Sequence, residues 1–149
     1  IFDFKENIKL GKGPTEVSND FYNYRQCSVL GFLFYYFDNE SGNIKHKYID
    51  FLSDILSHDA HFVIGCLKEI LKNHVPKHEI KKINFWSDAG NHFRCSELLH
   101  FLLFSCPKLF KVCCEFNVFC ESHGKSSVDG HFSLLTRWMK AIEKNSKIE

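Results

Sequence analysis

The sequence lacks the features that would place the chain in a membrane or outside the cell. None of its apolar runs reaches the roughly 18–20 residues of a membrane-spanning helix, and the run from Val29 to Phe37 has the length of a strand. Nothing in the chain resembles a signal peptide. Internal repeats and low-complexity segments are absent as well. We therefore expect a globular protein with no membrane partner.

An excess of charge of either sign is also lacking, since the formal net charge of the 149 residues is +1. Any basic region that binds DNA must then be a local patch or lie outside this piece of chain. The sequence starts at Ile1 rather than Met, within a predicted strand. We expect one core domain spanning residues 1–149, cut from a larger protein.

Signals for disulfides and for zinc are weak. The seven Cys are an odd number, none are spaced as a CxxC pair and no secretory signal accompanies them, which favours free thiols in a reducing compartment. We expect most of them to be small core residues. Cys120 and His123 supply only two of the four ligands of a structural zinc site. Zinc stays an alternative, with His92, Cys95, Cys113 and Cys114 available to complete the set.

The sequence is rich in apolar and aromatic residues, with 44% hydrophobic residues and 16 Phe, enough for a sizeable core. Strands are predicted first at Ile1–Leu10, Cys27–Phe37 and Ile44–Leu52. The residue types of Asp38–Gly42 predict a turn between the last two. Because this connection is short, we expect the strands to pair antiparallel.

Helices and strands alternate in the second half of the chain. Ser57 or Asp59 is a good N-cap for a helix whose apolar residues recur at helical spacing from Phe62 to Leu71. The elements predicted after it are a strand at Ile83–Trp86, a helix at Ser96–Phe104 that ends near Pro107, a strand at Lys111–Cys120 and a helix whose apolar face runs from Val128 to Ile142. This order predicts an α/β fold with a mixed five-stranded sheet flanked by helices.

Three acidic residues have unusual settings. Asp88 follows an apolar strand and precedes Ala-Gly, Asp3 stands among bulky apolar residues of the first strand, and Asp129 opens the last helix. Singly, Asp88 is also explained as a turn or cap residue, and Asp129 as a first-turn acid favoured by the helix dipole. Asp3 is harder to explain so, because an unpaired charge in a covered strand is costly. Together the three predict a divalent-metal site.

Several motifs resemble the catalytic cores of eukaryotic cut-and-paste transposases, the DDE/D enzymes of the integrase superfamily. The resemblance spans essentially the whole chain, and such cores also occur in genes domesticated from mobile elements. The motifs are Asp3-Phe-Lys-Glu-Asn-Ile8, Ser53-Asp54 with His58-Asp59, Phe85-Trp-Ser-Asp-Ala-Gly90, Cys120-Glu-Ser-His123 and Ser122-His-Gly-Lys-Ser-Ser-Val-Asp-Gly130.

The resemblance implies a ribonuclease H-like fold, in which the first and fourth strands are neighbours and the last helix packs over them. It implies a nuclear protein that cleaves and transfers DNA strands with Mg²⁺ or Mn²⁺. Two such ions roughly 3.5–4 Å apart activate the nucleophile and stabilise the leaving oxygen, and they prefer carboxylates to thiolates. Asp3 would bridge the ions, with Asp88 holding one and Asp129 the other.

The sequence departs from the family pattern at the third acid. Most of these families have Glu where this chain has Asp129, and the interval from Asp88 leaves no room for the helical insertion that many of them carry. Glu143 is the other candidate on the same helix. It lies about 21 Å further along an axis that rises about 1.5 Å per residue. Only one of the two can join the site, and Asp129 is nearer the strand end.

Other polar residues are predicted to shape the site or to contact DNA. His123 is expected to hydrogen-bond a carboxylate or a DNA phosphate, or else to be a structural His, and Lys125 to contact the DNA backbone. Thr136 and Lys140 share the polar face of the last helix with Asp129. They are expected either to follow the DNA backbone or to form an ordinary solvated face.

Two other functions stay open. One is a catalytically silent, domesticated domain that binds DNA or protein, and the other is a ribonuclease H-like nuclease. Exonucleases of that class usually carry Asp-x-Glu on the first strand, a pattern that Asp3-Phe-Lys-Glu6 does not match. A homo-oligomer is a further expectation.

Overall fold

The computed structural model describes residues 1–10, 25–75, 80–120 and 127–143. The chain divides into two compact units, which we name by their strands. The hairpin unit comprises Asp3–Ser57 and Lys125–Glu149, and the parallel-strand unit comprises Ile1–Phe2 and His58–Gly124. Each is described by itself below.

The hairpin unit is built on three strands. They are β1 (Phe2–Leu10), β2 (Arg25–Asp38) and β3 (Asn43–Ser53), in the sheet order β1-β2-β3. β2 and β3 pair antiparallel in a register that runs from Ser28 opposite Ser53 to Asp38 opposite Asn43. The predicted antiparallel pairing is therefore confirmed.

The turn between β2 and β3 owes its shape to Asp38 and Gly42. Gly42 has a φ of 68°, a left-handed conformation that favours glycine, and its N–H donates to the Asp38 carbonyl at 2.8 Å. The Asp38 carboxylate accepts hydrogen bonds from Ser41 and pairs with Lys45 at 2.5 Å. Lys45, assisted by Ser41, lowers the pKa of Asp38 to about 2.

The last helix, α4 (Ser127–Glu143), packs on β2, and its residues Val128 and Phe132 are both buried. The contact is close because Gly31 of β2 has no side chain. A Cβ added at Gly31 would lie 2.5 Å from the Phe132 ring. A glycine in the middle of a strand is otherwise unfavourable, so its place here is explained by the aromatic ring that lies over it.

In the parallel-strand unit, α1 (Ala60–Asn73) begins as expected at Asp59, whose carboxylate accepts the Phe62 N–H at 2.9 Å. Its predicted apolar face is confirmed, with Val63 and Ile70 fully buried. Helical segments then connect β4 (Lys82–Ser87) to β5 (Cys113–Val118). These two strands pair in parallel, from Lys82 beside Cys113 to Ser87 beside Val118.

The second predicted helix is longer than expected and is interrupted. It comprises α2 (Ser96–His100), a π-helical turn (Phe101–Ser105) and α3 (Cys106–Phe110). We expected it to end near Pro107, which was wrong because Pro107 stands in the first turn of α3, where its missing N–H breaks no helical hydrogen bond. α3 ends instead at Lys111, which adopts the left-handed conformation common at helix ends.

The five predicted strands are confirmed, and the fold is a mixed α/β fold. Across the described ranges the strands form two sheets, one of three antiparallel strands and one of two parallel strands, rather than the single mixed sheet that we expected. The connections explain the two pairings, since a tight turn joins β2 to β3 antiparallel and a helical crossover joins β4 to β5 in parallel. None of the helices within these ranges is long and apolar enough to cross a membrane.

The cysteines follow the sequence expectation in part. All seven are free thiols. Cys27, Cys66 and Cys106 are buried, and burial raises the pKa of both Cys66 and Cys106 to about 12, as expected for small core residues. Cys113 and Cys120 are exposed.

The contact at Gly31 predicts a measurable cost of adding one methyl group. Gly31→Ala places a Cβ against the Phe132 ring, so we expect the free energy of unfolding to fall by about 1–3 kcal/mol. Gly130→Ala, on α4 itself, is the matched control. Its Cβ meets nothing within 4 Å, and we expect a gain of about 0.5–1 kcal/mol. Urea unfolding of both variants measures these changes. An unchanged free energy of unfolding in Gly31→Ala would contradict the close packing of Phe132 on Gly31.

Candidate functional site

Asp88 stands at the carboxyl end of β4, directly after the buried Ser87. Its carboxylate Oδ1 accepts the backbone N–H of Gly90 at 2.9 Å, and its carbonyl accepts the Ser87 hydroxyl at 3.0 Å. These bonds close a tight turn and hold the half-buried carboxylate at the strand end. Asp88 therefore forms a turn, as one of the two interpretations of the sequence predicted. It also stands at the carboxyl end of the fourth strand, where the sequence placed it.

The loop after Asp88 is compact because position 90 is glycine. A Cβ at Gly90 would lie 2.7 Å from Cε1 of His92 and 2.9 Å from Asp88 Oδ1. The next residue, Phe93, is fully buried and packs edge-on against Phe2, with ring centroids 5.0 Å apart. The loop is thereby anchored in the core at one end and on β4 at the other.

Two histidines of the parallel-strand unit lie beside this loop. The rings of His58 and His92 are 6.2 Å apart and nearly perpendicular. Burial lowers the pKa of both imidazoles, His92 lowers that of His58 further, and the Asp88 carboxylate opposes the effect at His92. Both rings therefore favour the neutral form at neutral pH.

The other two predicted acids belong to the hairpin unit. Asp3 lies on β1 and Asp129 in the first turn of α4, and both are half-buried. The Asp129 carbonyl accepts the Ser133 hydroxyl at 3.0 Å. No three His, Cys, Asp or Glu side chains among the described residues are grouped in a way that would hold a metal ion. Shared metal binding by Asp3, Asp88 and Asp129 stays a prediction.

The remaining predicted site residues are divided between described and undescribed parts of the chain. His123 and Lys125 lie outside the described residues, as does half of the zinc pair Cys120 and His123. The Thr136 hydroxyl donates to the Phe132 carbonyl at 2.8 Å, one helical turn back. Lys140 is exposed in the last turn of α4. Glu143 is the final residue of that helix.

Sequence reasoning missed a polar cluster between β3 and α4. His131 Nε2 lies 2.6 Å from Asp50 Oδ2, and only 11% and 18% of the two side chains are exposed. The Tyr48 ring stacks on the His131 ring at 4.2 Å. The second carboxylate oxygen of Asp50 is buried with no hydrogen-bond partner within the described ranges. It faces Gly31, the residue paired with Asp50 across the sheet.

The same cluster extends to the start of α4. The Tyr35 hydroxyl donates to Ser127 Oγ at 3.2 Å, and the Tyr48 hydroxyl donates to the Ser127 carbonyl at 3.4 Å. These bonds and the Asp50–His131 pair fix the first turns of the helix that carries Asp129. The sequence contains two signals of this cluster. Tyr48 and Asp50 share one face of β3, and His131 lies one helical turn beyond Ser127. The pairing between them is not encoded locally.

The comparisons with known proteins assign the chain to a family. A domain family described as a domain of unknown function, DUF8701, matches residues 1–147, and the chain belongs to it. No curated protein and no solved structure matches the chain.

Breaking the Asp50–His131 pair is expected to destabilise the hairpin unit. Asp50→Ala or His131→Ala leaves a largely buried polar partner unpaired, which costs about 2 kcal/mol each. The double variant should cost less than the two single changes together, because the interaction is lost only once. The exposed Arg25–Asp54 pair at 2.7 Å is the control, and its coupling should be much the smaller of the two because solvent screens it. Urea unfolding of both double-mutant cycles measures the difference, and equal couplings would contradict this ranking.

The two shielded imidazoles predict that acid destabilises the protein. Their folded pKa values lie below the ordinary 6.5, so the unfolded chain binds more protons as the pH falls. Their contribution to stability is fully present above about pH 6.5 and is lost below it. The urea midpoint should thus fall from pH 7.5 to pH 5.5, and by less in His92→Gln. The exposed His61 provides the control: if His61→Gln flattens the pH dependence equally, the assignment to His92 is wrong.

Proposed function

We propose that this chain is a ribonuclease H-like core of the transposase type, which cleaves and transfers DNA strands with Mg²⁺ or Mn²⁺. One observation carries the proposal: the placement of the acids in the order of elements. Asp3 lies on β1, Asp88 at the carboxyl end of β4 and Asp129 at the start of α4. Three antiparallel strands precede a helix, a parallel pair and a final helix, which is the order that the resemblance implies.

The donor chemistry fits the proposed ions. Three carboxylates are hard oxygen ligands, which Mg²⁺ and Mn²⁺ accept in preference to sulfur. The Gly90 N–H holds one Asp88 oxygen at 2.9 Å, so this ligand is oriented before any ion binds. When bound, the ions would activate the attacking oxygen and stabilise the leaving one.

The protein's own task in this proposal is to hold the DNA phosphate beside these acids and to orient it. Lys125 and His123, close to Asp129 in sequence, are proposed contacts to the DNA backbone. Lys140, exposed near the end of α4, is a further proposed contact. Thr136 is the least suited of the predicted contacts, because its hydroxyl already donates to the Phe132 carbonyl. A nuclear location and a homo-oligomer accompany the proposal.

A second candidate function is a catalytically silent domain that binds DNA or protein. The observation in its favour is that no three potential ligand side chains in the described ranges are grouped for a metal ion. The Asp at the third position, where most transposase families have Glu, points the same way. Metal binding therefore separates the two candidates.

Saturable Mn²⁺ binding tests the first candidate. At a free Mn²⁺ concentration about ten times the Kd, the ion should stabilise the fold by about 1.4 kcal/mol and raise the Tm by about 3–5 °C. Asp3→Asn, Asp88→Asn and Asp129→Asn should each remove most of this rise, because each removes one charged ligand. Thermal unfolding with and without Mn²⁺ measures the effect.

The matched control is Glu40→Gln, which removes an exposed carboxylate from the β2–β3 turn and should leave the rise intact. A protein whose Tm does not respond to Mn²⁺ would favour the silent domain. If Glu143→Gln abolishes the Tm rise and Asp129→Asn retains it, Glu143 replaces Asp129 as the third ligand and the proposed metal site stands.

A further inference from the structure

The outward face of the parallel strands carries a partly exposed tryptophan close to Asp88. Side chains alternate along β4, with Phe85 and Ser87 buried and Asn84 and Trp86 on the outward face, where Trp86 is 37% exposed. Tryptophan is usually well buried. Exposure alone does not set it apart, since Trp138 is 57% exposed, and what distinguishes Trp86 is its position two residues before Asp88.

Phe119 forms an aromatic pair with Trp86. Their ring centroids are 5.1 Å apart and the ring planes are inclined by 32°. The Phe119 N–H donates to the Ser87 carbonyl at 2.9 Å, so the parallel ladder continues past the end of β5 and fixes the backbone that carries the ring. The two rings thus stand together at the carboxyl end of the parallel pair.

This aromatic pair is within reach of the site proposed above. Asp88 follows Trp86 by two residues, and an extended chain spans at most about 7 Å over that interval. Trp86, Asp88 and Phe119 all belong to the parallel-strand unit. A nucleotide whose phosphate lies at Asp88 would therefore have its own or the neighbouring base at the distance of these rings.

The surroundings of the rings are polar, which favours a nucleobase over an apolar protein surface as the partner of this face. Asn117 pairs with Trp86 across the ladder, and Lys82 and Glu115 form an exposed ion pair at 2.6 Å on the same face. The cores of protein interfaces are depleted of such charges. A nucleobase stacks through its π face and forms hydrogen bonds through its polar edges. On this face the two rings offer stacking and the exposed Asn84 amide offers hydrogen bonds, whereas the Asn117 amide already donates to the Phe85 carbonyl at 3.4 Å. Arg94, exposed in the loop after Asp88, adds a positive charge that suits a phosphate backbone.

We propose that Trp86 and Phe119 form a stacking platform for an unpaired base of a DNA strand bound at Asp88. This inference rests on the proposed function, because DNA is the substrate there, and it adds how the strand is positioned. Stacking on an aromatic side chain tolerates any base sequence, since every base has a π face. The platform would therefore hold the strand in place and leave sequence choice to other contacts.

Intrinsic fluorescence tests the platform directly, because the chain has only two Trp. In a Trp138→Phe background Trp86 is the single emitter, and we expect a single-stranded oligothymidylate of about 20 nucleotides to quench it saturably. An oligomer of the same length and charge without bases should quench far less. The reverse variant, Trp86→Phe, leaves Trp138 as the emitter, 57% exposed on α4, and its emission should stay unchanged.

Affinity for a labelled oligothymidylate gives a second measure. Trp86→Leu and Phe119→Leu should each weaken binding about tenfold, whereas Trp138→Leu should leave it within about twofold. If Phe119→Leu fails to fold by circular dichroism, Trp86→Leu and the quenching experiment still decide the question. Unquenched Trp86, equal quenching by the strand without bases, or equal quenching of Trp138 would each overturn the platform.

The outcomes also separate this inference from the metal site. Quenching of Trp86 without any Mn²⁺ response would keep the platform in a protein that binds DNA and does not process it. A Mn²⁺ response that depends on Asp88, combined with unquenched Trp86, would keep the metal site and overturn the platform.

Discussion

The absence of a side chain at Gly31 is the constraint on which the hairpin unit depends. It lets the Phe132 ring lie against the backbone of β2, so that α4 packs closely on the sheet. At that distance His131, the neighbour of Phe132, reaches Asp50, the residue opposite Gly31, and the Tyr48 ring stacks on its imidazole. The first turn of α4, with Asp129, is thereby held in one place on the hairpin.

A glycine also permits close packing around Asp88 in the parallel-strand unit. Gly90 permits the loop to fold back, its N–H orients the carboxylate, and Phe93 anchors the chain in the core. In both units a glycine allows a close approach that positions an acidic residue or its supporting helix. Asp88 and Asp129 are thus carried by well-packed elements, which is what a site for metal-assisted chemistry requires.

Local patterns predicted the elements well and their interactions less well. The short turn between β2 and β3 and the helical spacing after Asp59 are properties of neighbouring residues, and both predictions were confirmed. The predicted end of the second helix was wrong. Proline usually indicates the end of a helix, but Pro107 fits the first turn of a new helical segment. The Asp50–His131 pair was missed because its partners are far apart in sequence and meet only when α4 docks. Asp3, Asp88 and Asp129 were predicted from their settings in the sequence and from the resemblance. Their shared binding of a metal ion stays a prediction.

A crystal structure of the protein soaked in Mn²⁺, with anomalous diffraction recorded at the manganese absorption edge, tests the central claim most directly. We predict anomalous density coordinated by the carboxylates of Asp3, Asp88 and Asp129 together. Density confined to surface carboxylates such as Glu40, or no anomalous density at saturating Mn²⁺, would contradict the metal site and leave a domain that binds its partners without metal-dependent chemistry.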